Sequence, residues 1–131
     1  MKAIRQLIRT THRAFVDLFL SSPVYRRTAI VSAIFVLATT LLPIWRIVPL
    51  AEASPFIPLH YNIYLGIDRF GPWYSIFLLP ALGATLLVVN VIFEAVFFRR
   101  EHVLSKFFAY ATVFSETVLF VAMVLIVLLN L

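Results

Sequence analysis

Cysteine is absent from the 131-residue chain. That excludes a disulfide framework, a thiolate metal site, a cysteine nucleophile and a palmitoylation site. Glycine is nearly absent as well, with three residues in all. No Gly-rich phosphate loop occurs, and neither HExxH nor GxSxG is found. Charge is scarce: only 13% of residues are Asp, Glu, Lys or Arg, against about 25% in soluble domains. A chain so poor in charge cannot clothe a water-facing globule.

Hydrophobic residues fill the space left by these absences. They make up 63% of the chain, against about 45–50% in soluble domains, and the mean hydropathy is +1.01. The formal net charge is +5. The basic residues stand beside hydrophobic runs, so their partner is expected to be anionic lipid rather than nucleic acid.

Three runs have the length of membrane spans, for which about 20 apolar residues at about 1.5 Å rise cross a core of about 30 Å. The first covers 28–46, with Pro43 near its far end, Trp45 as an interface anchor and Arg46 able to snorkel outward. The second covers 74–98, with an early turn expected at Pro80, and the third covers 107–130. Ala51-Glu52-Ala53 resembles a signal-peptidase site, but the preceding basic region and hydrophobic run are too long for a signal peptide, so an uncleaved span is expected.

Residues 2–20 place Ile4, Leu7, Ile8, Phe15, Leu18 and Phe19 at helical spacing, with Lys2, Arg5, Arg9 and Arg13 largely off that stripe. This pattern predicts an amphipathic helix, lying in the headgroup plane or on the protein's own surface. Ser22 and Pro23 suit the cap and first position of the next helix.

The expected fold is therefore an all-α membrane protein in a single domain, 1–131. It has three transmembrane helices, an N-terminal amphipathic interfacial helix and one ordered outer loop at 51–73. Lys2, Arg5, Arg9, Arg13, Arg26 and Arg27 precede the first span, and Arg99, Arg100 and Lys106 separate the last two. The outer loop and its flank hold Arg46 and Arg69 against Glu52 and Asp68. The positive-inside rule then places the N-terminus in the cytoplasm and the loop and C-terminus outside a bacterial cytoplasmic membrane.

Within the spans, Glu116 lies ten residues past Lys106, roughly 15 Å deep. Asn90 and Thr39 fall at similar counted depths on the other two spans. A charged carboxyl at that depth is costly and faces the bundle interior. Ser105, Ala109, Thr112 and Glu116 share one helical face, the small and polar kind that close packing in lipid uses. A Glu116–Asn90 hydrogen bond fixing helix rotation is the structural expectation, and a proton or cation relay the functional one. Glu94 lies nearer the cytoplasmic end, within reach of Arg99 or Arg100.

In the outer loop, Ile57, Leu59, Tyr61, Ile63 and Leu65 alternate with Pro58, His60, Asn62 and Tyr64, a strand-like period of two, and Gly66 permits a turn. His60 and Asn62 then share a face to which Asp68 can return. One His, one Asn and one Asp make a poor metal set, so no metal or other cofactor is expected. Tyr61, Tyr64, Phe70, Trp73 and Tyr74 form an aromatic collar.

The run Pro58-Leu59-His60-Tyr61-Asn62, followed by Gly66, Asp68, Arg69 and Gly71, resembles a bacterial membrane domain of unknown function found at the N-terminus of SdpI-like immunity proteins. Gly66 to Asp68 is one residue tighter than that pattern. The resemblance covers about twenty residues and implies an outward-facing motif after the first span, without carrying immunity function with it.

Two functions follow as expectations. One is a non-enzymatic membrane module that binds a membrane or extracytoplasmic protein or peptide through His60, Asn62, Gly66, Asp68, Arg69 and Trp73, as an accessory subunit. The other is a proton- or cation-coupled transport component acting through Glu116 as a homo-oligomer. A membrane enzyme using His60 and Asp68 as acid and base ranks last, because the sequence supplies it no nucleophile.

Overall fold

The computed structural model describes Arg13, residues 15–20 and residues 22–131. Its first long helix, α1, runs Pro23–Arg46. Pro23 stands at the first helical position, after an extended Ser22 whose hydroxyl makes no capping bond. The fixed φ of proline therefore sets the start. A single 3-10 turn, Val48–Leu50, follows.

A hairpin comes next, with strands β1 (Phe56–Asn62) and β2 (Gly66–Pro72) paired antiparallel. Another 3-10 turn, Trp73–Phe77, leads into α2 (Leu78–Phe97). Pro80 falls in the first turn of α2, where backbone N–H groups have no intrahelical acceptor in any case. The last helix, α3, runs His102–Leu129. It starts before the third run counted from the sequence, because Lys106 is compatible with helix and points outward. Among the described residues, three stretches are long and apolar enough to cross a membrane: Pro23–Leu50, Trp73–Phe97 and His102–Leu129. The segment between the first two of these stretches adds a small two-stranded sheet to the otherwise mostly helical described residues.

Helix α3 is the centre of the bundle and packs along both α1 and α2. It buries Ser105, Ala109, Thr112, Glu116, Met123 and Val127, a single face at steps of three, four and seven residues. Helix α1 answers with Tyr25, Ser32 and Thr39. They are spaced by sevens, two full turns apart, as a knobs-into-holes seam requires.

The bundle has two apolar ends and a polar middle. At the hairpin end, Ile47, Ile57, Ile76, Met123 and Val127 form one buried cluster. At the other end, which carries Arg26, Arg27, Arg99 and Arg100, the cluster is Leu18, Tyr25, Ala95 and Ala109. Most of the amphipathic helix expected at 2–20 lies outside the described residues. Residues 15–20 are helical, Leu18 is fully buried, and Asp17 pairs with Arg99. This segment rests on the bundle itself.

Candidate functional site

The hairpin is built on local turn chemistry. Gly66 has φ of 73°, a left-handed value that L side chains resist. The Asn62 side-chain oxygen accepts from the Tyr64 backbone N–H at 2.9 Å, so the turn is closed by an Asx contact. His60 Nδ1 lies 2.6 Å from Asp68 Oδ1 across the strands. In register His60 faces Arg69, and the ladder slips on either side of His60. That slip accompanies the reach of Asp68 back to the imidazole.

The strict alternation expected over 57–65 stops at Asn62. Ile57 alone is buried in β1, because only that part of the strand rests on the ends of the helices. Ile63, Tyr64 and Leu65 form the turn and are 80%, 91% and 75% exposed. Tyr61, Phe70 and Tyr74 are exposed around them, while Trp73 packs edge-on against Tyr74 and Phe77. Arg46 lies over the Trp45 ring at 5.0 Å from its centroid, a cation–π contact.

The base of the hairpin is fixed. Asn130 Nδ2 donates to Pro58 O at 2.8 Å, and the Trp73 N–H donates to Pro55 O at 3.1 Å. Between β1 and the end of α3 lies an apolar groove of about 540 Å³, walled by Leu59, Tyr61, Leu125, Ile126 and Leu128, with His60 at its rim. Sequence reasoning missed this groove. Its two walls are about 65 residues apart in the chain, so no local pattern marks it.

The second candidate is the polar middle of the bundle. Tyr25 packs with Ala109, the Phe35 and Phe120 rings are 5.6 Å apart, and Ile47 sits with Met123 and Val127. Helices α1 and α3 therefore run in the same direction. Helix α2 is antiparallel to α3: Ser105 Oγ donates to Glu94 O at 2.9 Å, and Asn90 Nδ2 donates to Thr112 Oγ1 at 2.9 Å.

The expected Glu116–Asn90 bond is not made. Asn90 spends its amide on Thr112, one turn away, and Glu116 faces Gly83 instead. A Cβ at Gly83 would lie 2.6 Å from Glu116 Oε2. Both Glu116 carboxyl oxygens are buried without a hydrogen-bond partner among the described residues. Glu94 is also buried, and its Oε2 is unpaired. It does not reach Arg99, which holds Asp17.

Thr39 is buried, but its hydroxyl donates back to Phe35 O at 2.8 Å. The Phe35–Phe120 contact puts Thr39 a turn or more beyond Glu116 toward the hairpin. Ser32 takes that level in its place, fully buried, its hydroxyl without a partner among the described residues. Counting depth from the nearest basic residue misaligned the helices, because Arg27 on α1 and Lys106 on α3 do not lie at the same level: Tyr25 packs beside Ala109 and Phe35 beside Phe120. The seven-residue interval Tyr25–Ser32–Thr39 was the signal that could have found Ser32.

No protein-family model, curated protein or solved structure matches the chain.

Proposed function

We propose that the chain is a multi-pass membrane protein whose hairpin is a docking surface for a membrane or extracytoplasmic protein or peptide. In this reading the basic end faces the cytoplasm of a bacterial cell and the hairpin faces outward. The role is non-enzymatic, that of an accessory subunit. The observation that carries it is the exposed apolar tip, Ile63-Tyr64-Leu65, held on a base fixed by Ile57 and Asn130. Large aromatic and aliphatic side chains displayed on a rigid support lose little entropy on docking, and such exposed patches mark interaction sites. The resemblance of 58–71 to the outward-facing motif of SdpI-like proteins supports the same face.

Photo-crosslinking tests the reading. A photoreactive residue in place of Tyr64 should trap one protein partner in intact cells, and Ile63→Asp with Leu65→Asp should abolish the adduct. Crosslinking to lipid alone would refute protein docking.

A second reading, a proton- or cation-coupled component acting as an oligomer, is favoured by one observation. Glu116 is 1% exposed and both its oxygens lack hydrogen-bond partners among the described residues. Intramembrane carboxyls of this kind commonly serve ion pathways.

A further inference from the structure

The groove between β1 and the end of α3 has two unlike walls. On α3 it is lined by Ala122, Leu125, Ile126 and Leu129, an i, i+3, i+4, i+7 face that runs about 10 Å along the helix. This wall belongs to the stretch His102–Leu129, which is long and apolar enough to cross a membrane. The other wall is Leu59 and Tyr61 of β1, with His60 at the rim. Strand β1 lies outside all three such stretches. The groove thus joins a membrane-crossing helix to a segment beyond it.

Both walls are held in place by the fold itself. Leu59 packs directly on the β2 backbone, since a Cβ at Gly71 would stand 2.5 Å from Leu59 Cδ1. Asn130, one residue past α3, ties that helix to β1 through its bond to Pro58 O. A preformed apolar groove of about 540 Å³ has the size of a small-molecule site. Water is a poor occupant, because a held water needs about two to four polar partners. Among the lining residues only His60 and Tyr61 carry a polar side-chain atom.

The rim adds a partner for an anion. Arg69 is the cross-strand partner of His60 in register, and directly opposed residues stand on one face of a hairpin. Arg69 is exposed and makes no ion pair among the described residues. Asp68 is already engaged by His60 Nδ1 at 2.6 Å. That contact orients the imidazole and leaves Nε2 as its free nitrogen. An apolar trough at the level of the lipid chains, with an unpaired guanidinium opposite its rim histidine, is complementary to an amphiphile with an anionic head.

We propose that the groove binds one phospholipid of the surrounding bilayer, an acyl chain lying along Ala122–Leu129 and the phosphate meeting Arg69 and His60. The chain gains a fixed apolar surface on two sides, and the guanidinium supplies the charge-assisted bonds that phosphate accepts. The site is separate from the exposed tip Ile63–Leu65. It rests on the membrane-crossing part of the reading above and not on partner docking.

Native mass spectrometry of the full chain from detergent micelles, titrated with dioleoyl phosphatidylglycerol, tests the site. One lipid should be retained per chain. Ala122→Trp fills the groove and Leu125→Gln puts an amide in its wall; each should weaken retention about tenfold or more. Val88→Trp, on the exposed side of α2, should change nothing. Retention unaltered by both groove variants would overturn the site. A dimer in place of the lipid adduct, lost in Ala122→Trp, would overturn it in favour of a second copy of the chain.

Dioleoylglycerol has the same chains without the phosphate. It should bind about two- to fivefold more weakly, the worth of an exposed ion pair. Arg69→Gln should lower phosphatidylglycerol affinity by the same factor and leave dioleoylglycerol unchanged. Equal affinity for the two lipids, or an equal loss of both in Arg69→Gln, would remove the phosphate contact and with it the proposed ligand. In liposomes, Ser54→Cys and Val103→Cys should label from opposite sides with an impermeant thiol reagent, the chain having no cysteine of its own. Labelling from one side would end the membrane-crossing reading and this site with it. Opposite sides without lipid retention would overturn the site alone.

Discussion

Gly83→Ala tests the closest approach in the bundle. The added Cβ would stand 2.6 Å from Glu116 Oε2 and 3.4 Å from its Cδ and Oε1. Reaching an ordinary 3.4 Å contact demands a displacement of about 0.8 Å, from 3.4 − 2.6. The carboxyl is the tip of a flexible side chain, but it is 1% exposed, so its withdrawal repacks the α2–α3 seam. Overpacking of this kind costs about 1–3 kcal/mol. Alanine in place of glycine returns up to about 1 kcal/mol of helix propensity. A net loss of about 1–2 kcal/mol is expected, read as thermal unfolding in detergent by circular dichroism. In a Glu116→Ala background the clash is gone, and the same Gly83→Ala change should turn neutral or stabilising. The cycle should thus show a coupling of about 1–3 kcal/mol. If Gly83→Ala stabilises the wild-type chain, or the two changes are additive, the two side-by-side backbones are not where the structure puts them.

Gly66→Ala should cost about 1–2 kcal/mol through the left-handed backbone alone, since nothing lies within 4 Å of the new methyl; restoring stability with a D-alanine at this position, by semisynthesis, would confirm the cause. Asn130→Ala removes the bond to Pro58 O and should cost about 1 kcal/mol. Its signature is faster hydrogen exchange in 56–72 with the helices unchanged. Asn90→Leu should cost about 0.6 kcal/mol and at most about 1.7, because Thr112 keeps its own bond to Phe108 O. A loss well above about 1.7 kcal/mol would mean that Asn90 also serves Glu116.

What the sequence determined was local. The three long apolar runs reappear as helices long enough to cross a membrane, because hydropathy over about 20 residues needs no knowledge of neighbours. The buried face of α3, from Ser105 to Glu116, was legible because one helical period carries all four small or polar residues. The turn at Gly66 was legible because few residues but glycine accept its φ readily.

The partners across helices were decided only by the tertiary structure. Asn90 meets Thr112 rather than Glu116, Ser32 replaces Thr39 at the level of Glu116, and Gly83 makes room for a carboxyl. Each of these depends on the axial register of one helix against another. That register comes from how side chains interlock over the whole length of the interface, and a shift of one turn leaves every local pattern in the sequence unchanged.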